Sequence, residues 1–319
     1  MTILGTPPAP TPRTPTPGTP TPGTPTPTAT PTFVHNRRST AAWFRQTGWR
    51  HLVAWAALAF ALFPVLWVIS AAFSDGNLSS QTLIPASPNL DNFRTLFEQP
   101  FWRWFWNSMF IGVMTGIWTV FFCALGAYAF SRMRFKGRRG GMLSLLLIQM
   151  FPNLLAVVAL FLFMTRIKGL YPSIGLGTSW GLIFIYLGGA LGVNTYLIKG
   201  FFDTIPFTLD EAAKIDGCTH AQTFFKIILP LATPVLAVIA LLSFITTQAE
   251  YLVASVMLGQ NEDAKTLAVG LSQYVRAGFD NRWGPFAAGS LIGAIPVVLL
   301  FMFLQRYIVS GLTSGAVKE

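Results

Sequence analysis

Charge is what this sequence has least of. Aspartate and glutamate number 12 and lysine and arginine 22, so only 11% of the 319 residues are charged. An average soluble domain carries roughly a quarter, and so thin a polar coat argues against an ordinary soluble globular protein. Cysteine occurs twice, as Cys123 inside an apolar run and Cys218 in a polar loop. That placement disfavours a disulfide and leaves no metal cluster to assemble. Histidine occurs three times, at His35, His51 and His220, scattered along the chain. No G-x-x-x-x-G-K-[ST] run is present, so the chain has no loop of its own to cradle ATP phosphates. The net charge of +10 would suggest nucleic acid if it lined one soluble face. Here the basic residues fall between apolar runs, where a membrane protein uses them to set its orientation.

Apolar residues are plentiful, at 52%, and they are bunched. Six runs stand out, at 52–73, 104–130, 142–164, 180–198, 231–258 and 286–304. A helix rises 1.5 Å per residue and needs about 20 residues to cross the hydrocarbon core. The expected fold is therefore all-α and polytopic, with six transmembrane helices. Pro64 and Pro152 are read as kinks, because neighbouring helices and water can satisfy the carbonyls they free. Residues 1–45 are different. From Pro7 to Pro31 they are mostly Thr-Pro and Gly-Thr-Pro repeats, which predicts an extended, disordered Thr/Pro-rich tail, most simply a spacer. Two parts are thus expected, the tail over 1–45 and a transmembrane domain over 46–319.

Orientation follows from lysine and arginine near the span ends. Arg37, Arg38, Arg45 and Arg50 precede the first span, and Arg132, Arg134, Lys136, Arg138 and Arg139 follow the second with no acid among them. The opposite loops hold only Arg94 and Arg103, then Arg166 and Lys168. The bias puts both termini, the tail and the loop 200–230 of this multi-pass protein in the cytoplasm; the cell's inner membrane is the location that the resemblance described below implies. The Arg132–Arg139 run reads as an orientation signal rather than a lipid site.

The loop 200–230 is long and carries its own structure signals. Thr208 and Glu211 fit a capping box at a helix start. Leu209, Ala212 and Ala213 share a smooth face, and Gly217 suits a helix C-terminus. A second short helix over 219–228 leads to Pro230. Glu211-Ala212-Ala213, three residues ending in Asp216, then Gly217, nine residues and Ile227-x-Leu229-Pro230 resembles the EAA motif of binding-protein-dependent ABC importers. Further stretches are similar to the MalG-type branch, the permease subunits of maltose/maltodextrin importers. They are Ala127-Tyr128-Ala129-Phe130, Gln149-Met150-Phe151-Pro152, Tyr186-Leu187-Gly188-Gly189, Thr266-Leu267-Ala268-Val269-Gly270 and Gly311-Leu312-Thr313-Ser314-Gly315. The Thr-Pro tail has no counterpart in that pattern.

The resemblance implies a type I ABC importer permease fold and a non-catalytic subunit. It would pair with a MalF-like second permease subunit, two ATPase subunits that use ATP and Mg, and a soluble sugar-binding protein. It also implies that the first short helix couples to an ATPase through Leu209, Glu211, Ala212, Ala213, Asp216, Gly217, Ile227, Leu229 and Pro230. The magnitudes demand a whole docked surface. Moving a pore from 1:99 to 99:1 takes about 5.5 kcal/mol, whereas one exposed ion pair supplies about 0–1 kcal/mol.

Glu250 is the one carboxylate deep in an apolar run, at a cost of about 2.5–3.5 kcal/mol on insertion scales. It either lines the sugar pathway, with Gln248, Asn194 and Gln149 as further candidates, or pairs with another helix. In the polar loop 259–285, Tyr274, Phe279 and Trp283 are candidate contacts for the binding protein, or membrane-interface aromatics. Three other functions compete: the same machine for another sugar or polyol, a self-contained secondary transporter and, more remotely, a membrane enzyme. The spans lack the charge network a proton- or sodium-coupled carrier usually needs. An enzyme would need its histidines or acids gathered at one membrane face.

Overall fold

The structure, a computed structural model, describes residues 47–74, 85, 88–259, 261–276 and 281–316, without the side chains of 153, 154 and 308–316. The expected tail and Phe279 lie outside the described residues. The chain divides into two units, Met1–Ala57 and Leu58–Glu319. Among the described residues all regular structure is helical.

The first expected run forms α1, Trp49–Phe73, a single helix that takes Pro64 in its interior. A short helix α2, Asp91–Phe97, precedes α3, Phe101–Arg132. Asn92 of α2 donates to the carbonyls of Ala72 and Ser74, at 3.1 and 2.9 Å, and so satisfies the end of α1. α3 is 32 residues long and packs on α6, Ser179–Phe202, and on α9, Thr233–Ala249. Close approach to α9 requires Gly112, where a methyl group would lie 2.9 Å from the Phe244 ring. Gly112 and Gly116 are spaced as G-x-x-x-G, the small-residue pattern of tight membrane helix pairs.

Among the described residues four helices are each long and apolar enough to span a membrane: α1, α3, α6 and the final helix α12, Trp283–Ala316. The other two expected spans are corrected. The third is broken, because α4, Arg138–Gln149, ends before Pro152 and α5, Asn153–Leu170, begins after it. Pro152 lies in extended backbone, φ −61° and ψ 118°, and therefore stops the helix instead of kinking it. The fifth does not run to 258. α9 stops at Ala249, Glu250 is extended with ψ 122°, and α10, Leu252–Leu258, restarts beyond Tyr251. At its other end α9 meets α8, His220–Leu231, at a bend of 77°, and that pair together meets the length and apolarity of a span.

Hydrogen bonds gather the helix ends into two sets. At one end Gly177 N–H donates to Met257 (2.9 Å), and Asn107 donates to the carbonyls of Asp263 (2.8 Å) and Lys265 (3.0 Å). Ser108 Oγ accepts from the N–H of Leu267, the first residue of α11, Leu267–Ser272, at 2.7 Å. The other end holds the last turn of α3 and the loop after α6.

Candidate functional site

That loop folds into α7, Phe207–Ile215, and α8. Pro206 ends the preceding turn and sits at the N-cap of α7 with ψ 134°. Its ring fixes φ and starts the helix at the next residue. Thr208 is therefore inside the first turn, and the capping box expected from Thr208 and Glu211 does not form. A capping box does form one helix later, where Thr219 N–H donates to Gln222 Oε1 at 2.8 Å and Gln222 N–H returns a bond to Thr219 Oγ1 at 3.3 Å.

The C-terminus of α7 is as expected. Gly217 has φ +78°, Gly217 N–H donates to Lys214 O at 3.1 Å and Cys218 N–H to Ala213 O at 2.9 Å. These two bonds are a Schellman closure, which needs a left-handed residue and so favours glycine. Asp216 is the exposed residue just before it.

The expected shared face of Leu209, Ala212 and Ala213 is split. Ala213 turns inward and is 3% exposed, whereas Leu209 and Ala212 face outward. The outward face also carries Glu211, Phe207 and Ile215, the last 86% exposed. Glu211 makes no ion pair among the described residues. Ile227 and Leu229 pack against a buried cluster of Tyr128, Ile198, Phe202, Phe224 and Ile228, while Pro230 is exposed. The cluster anchors the back of the loop and leaves the front of α7 free to meet another molecule.

The residue that composition did not single out is Asp210. It is buried at 7%, and its carboxylate pairs with Arg132 of α3 at 3.0 Å. Its signal was faint in the sequence, because an acid beside Glu211 reads as one more solvated charge. Beside it, Ser131 Oγ donates to Asp203 at 2.6 Å, and Lys199 pairs with the same carboxylate. Burial pulls the Asp203 carboxyl up, but hydrogen bonds from Lys199 and Ser131, with the charges of Lys199 and Arg138, outweigh it and hold it below its ordinary value.

The candidate pathway residues do not converge on one point. Glu250 Oε1 accepts from Val253 N–H at 2.8 Å, and Oε2 accepts from Ala254 N–H at 2.9 Å and from Tyr186 Oη at 2.7 Å. Both oxygens are thus used to cap α10 and brace it to α6, which favours the pairing alternative for this residue. Asn194 bonds to its own helix at Ala190 O (3.0 Å), and Gln149 donates to Gly189 O. Gln248 approaches Ser108 O at 3.4 Å and, with Tyr251, Arg276 and Ser290, lines a cavity of about 550 Å³ between α9, α11 and α12. Of the candidate loop aromatics, Tyr274 is buried at 7% against α2, with Oη 3.5 Å from Thr95 O, so it is a packing residue within this chain. Trp283 is half-buried and meets Phe286 at 6.0 Å.

Residues 121–314 match the family model described as binding-protein-dependent transport system inner membrane component. The maltose/maltodextrin transport system permease protein MalG of Vibrio parahaemolyticus is 40% identical over 84% of this chain and 94% of its own length. That of Escherichia coli is 38% identical over the same shares. A bacterial ABC transporter involved in importing the acidic polysaccharide alginate has a solved chain that is 26% identical, with a TM-score of 0.68 over 83% of this chain and 97% of that one. A further structure of the alginate transporter, in complex with a pentasaccharide-bound periplasmic protein, shares the fold at 18% identity and a TM-score of 0.62, over 84% and 96%.

Proposed function

The chain belongs to the inner membrane components of binding-protein-dependent transport systems and is a permease subunit of an ABC sugar importer, and we propose that its cargo is a maltose- or maltodextrin-type oligosaccharide. In this reading α7 is the coupling helix. It inserts its outward face, Leu209, Glu211, Ala212 and Ile215, into a cleft of an ATPase subunit. The single observation that carries it is this face, an exposed apolar and acidic surface on a short helix whose back is fixed by buried Ala213 and Asp210. An isolated chain gains nothing by exposing Ile215 and Phe207, and such residues anchor interfaces.

Two ATPase subunits use ATP and Mg to power the cycle, a MalF-like subunit completes the membrane pair, and a soluble sugar-binding protein delivers the cargo. The basic residues between α3 and α4 support a cytoplasmic position for α7 and for both termini. The name shared by the relatives at 38–40% identity supports the sugar class.

The test is uptake by the whole importer in proteoliposomes. Labelled maltodextrin should enter only with ATP inside and the loaded binding protein outside. Uptake that continues without ATP and stops with an ionophore would refute the coupling reading. Uptake confined to an unrelated sugar or polyol would refute the cargo alone.

A further inference from the structure

The coupling reading leaves open how a push on α7 reaches the pore helices. α7 is joined by backbone to α6 on one side and to α8 on the other. One joint is the turn Asp203–Pro206 and the other is the glycine closure at Gly217. A third attachment is made by a side chain. Arg132, the last residue of α3, has a side chain only 3% exposed, and its three partners lie within six residues of one another in the loop. It pairs with Asp210 Oδ2 at 3.0 Å, donates to Ile205 O at 2.8 Å and lies over the Phe207 ring at 4.2 Å.

Neighbours on α3 reinforce the grip. Tyr128 Oη donates to His220 O at 3.4 Å, and Ser131 holds Asp203. The last turn of α3 thus touches the loop before, within and after α7. A planar guanidinium that is paired, hydrogen-bonded and stacked at once has little rotational freedom. An orientation signal needs only a charge near the membrane surface, and it would be satisfied by an exposed arginine such as Arg134.

We propose that Arg132 is a positioning residue for transport: with Asp210 it forms a clasp, its charged pair buried and covered at the edge by the half-exposed Phe207 ring, that makes α7 and the end of α3 move as one body. Displacement of the docked helix is then delivered to α3, which packs on both α6 and α9. Without the clasp, α7 follows the ATPase while α3 lags behind, so ATP is hydrolysed without matching transport.

This inference rests on α7 being the ATPase-facing helix, and the test separates the two. The complete importer is purified with Ile215→Cys, and cross-linking of this exposed position to the ATPase subunit reports docking. In the parent importer, sugar moved per ATP hydrolysed is then measured in proteoliposomes. D210N, which keeps the shape and removes the charge, should keep ATPase activity within about twofold and lower the sugar-to-ATP ratio at least fivefold, with cross-linking intact. An unchanged ratio with intact cross-linking overturns the clasp and leaves the docking reading standing. Absent cross-linking in the otherwise unaltered importer overturns the docking reading and the clasp with it. If D210N does not assemble, R132M/D210L, which leaves no buried charge unpaired, takes its place with the same expectation. Failure of both variants to assemble would assign the clasp to folding alone and overturn its mechanical role.

Discussion

Gly217 shows how one residue's backbone can carry function. Its φ of +78° closes α7, and no atom lies within 4 Å of the place a Cβ would occupy, so the demand is conformational and not spatial. A side chain in left-handed backbone costs about 1–2 kcal/mol, enough to unwind the closure but not to stop membrane insertion. Gly217→Val should therefore abolish uptake while immunoblots of the membrane fraction show normal amounts, and Gly217→Asn should be milder. Gly217 was legible because spacing and glycine coincide after an alanine-rich turn. Asp210 and Arg132 were not, since sequence records that charges exist but not that a fold buries two of them together. Asp203 adds a dependence on acid. Its pKa is depressed on folding, so its contribution is present above its unfolded pKa and is lost as pH falls through the folded one. Asp203→Asn should flatten the loss of thermal stability of the purified complex in that acidic window.

Among the elements, the break between α9 and α10 is one that periodicity could not show. The residues from 231 to 258 are apolar enough to pass for one helix, and a lone Glu250 does not announce a break. The break is sustained because the Glu250 carboxylate satisfies two N–H groups at the new helix start and a tyrosine on α6. Losing such partners leaves buried donors unpaired at about 1–3 kcal/mol. Glu250→Ala should lower the melting temperature of the complex more than Tyr186→Phe, which leaves both backbone bonds in place. Equal effects of the two substitutions would mean that the cap has no structural weight. α11 and its N-cap tell the opposite story, because Thr266 to Gly270 were legible as a motif but the reason for the glycine was not. A methyl there would lie 2.2 Å from the Trp104 ring, which is itself 1% exposed. Overpacking of this kind costs about 1–3 kcal/mol, and Gly270→Ala should show it as reduced thermal stability.

At the scale of the whole molecule, the apolar surface left uncovered is the guide to assembly. An open groove of about 720 Å³ runs between α3, α9 and α12, and its walls include Val113, Ile117, Phe121, Leu236 and Leu300. Sequence could not distinguish this face from one that meets lipid, because acyl chains and a neighbouring helix are equally apolar. Shape distinguishes them better, since a concave apolar wall gives a neighbouring helix a defined seat. In the proposed importer this is the wall that the second membrane subunit would cover. Ile117 is 54% exposed here and should be covered in the complete complex. Ile117→Cys should accordingly be shielded from a membrane-permeant maleimide in the assembled importer and labelled readily in the chain expressed alone, with Cys218 first replaced by serine. Equal labelling in both states would mean that lipid fills the groove and that the membrane partner binds another face.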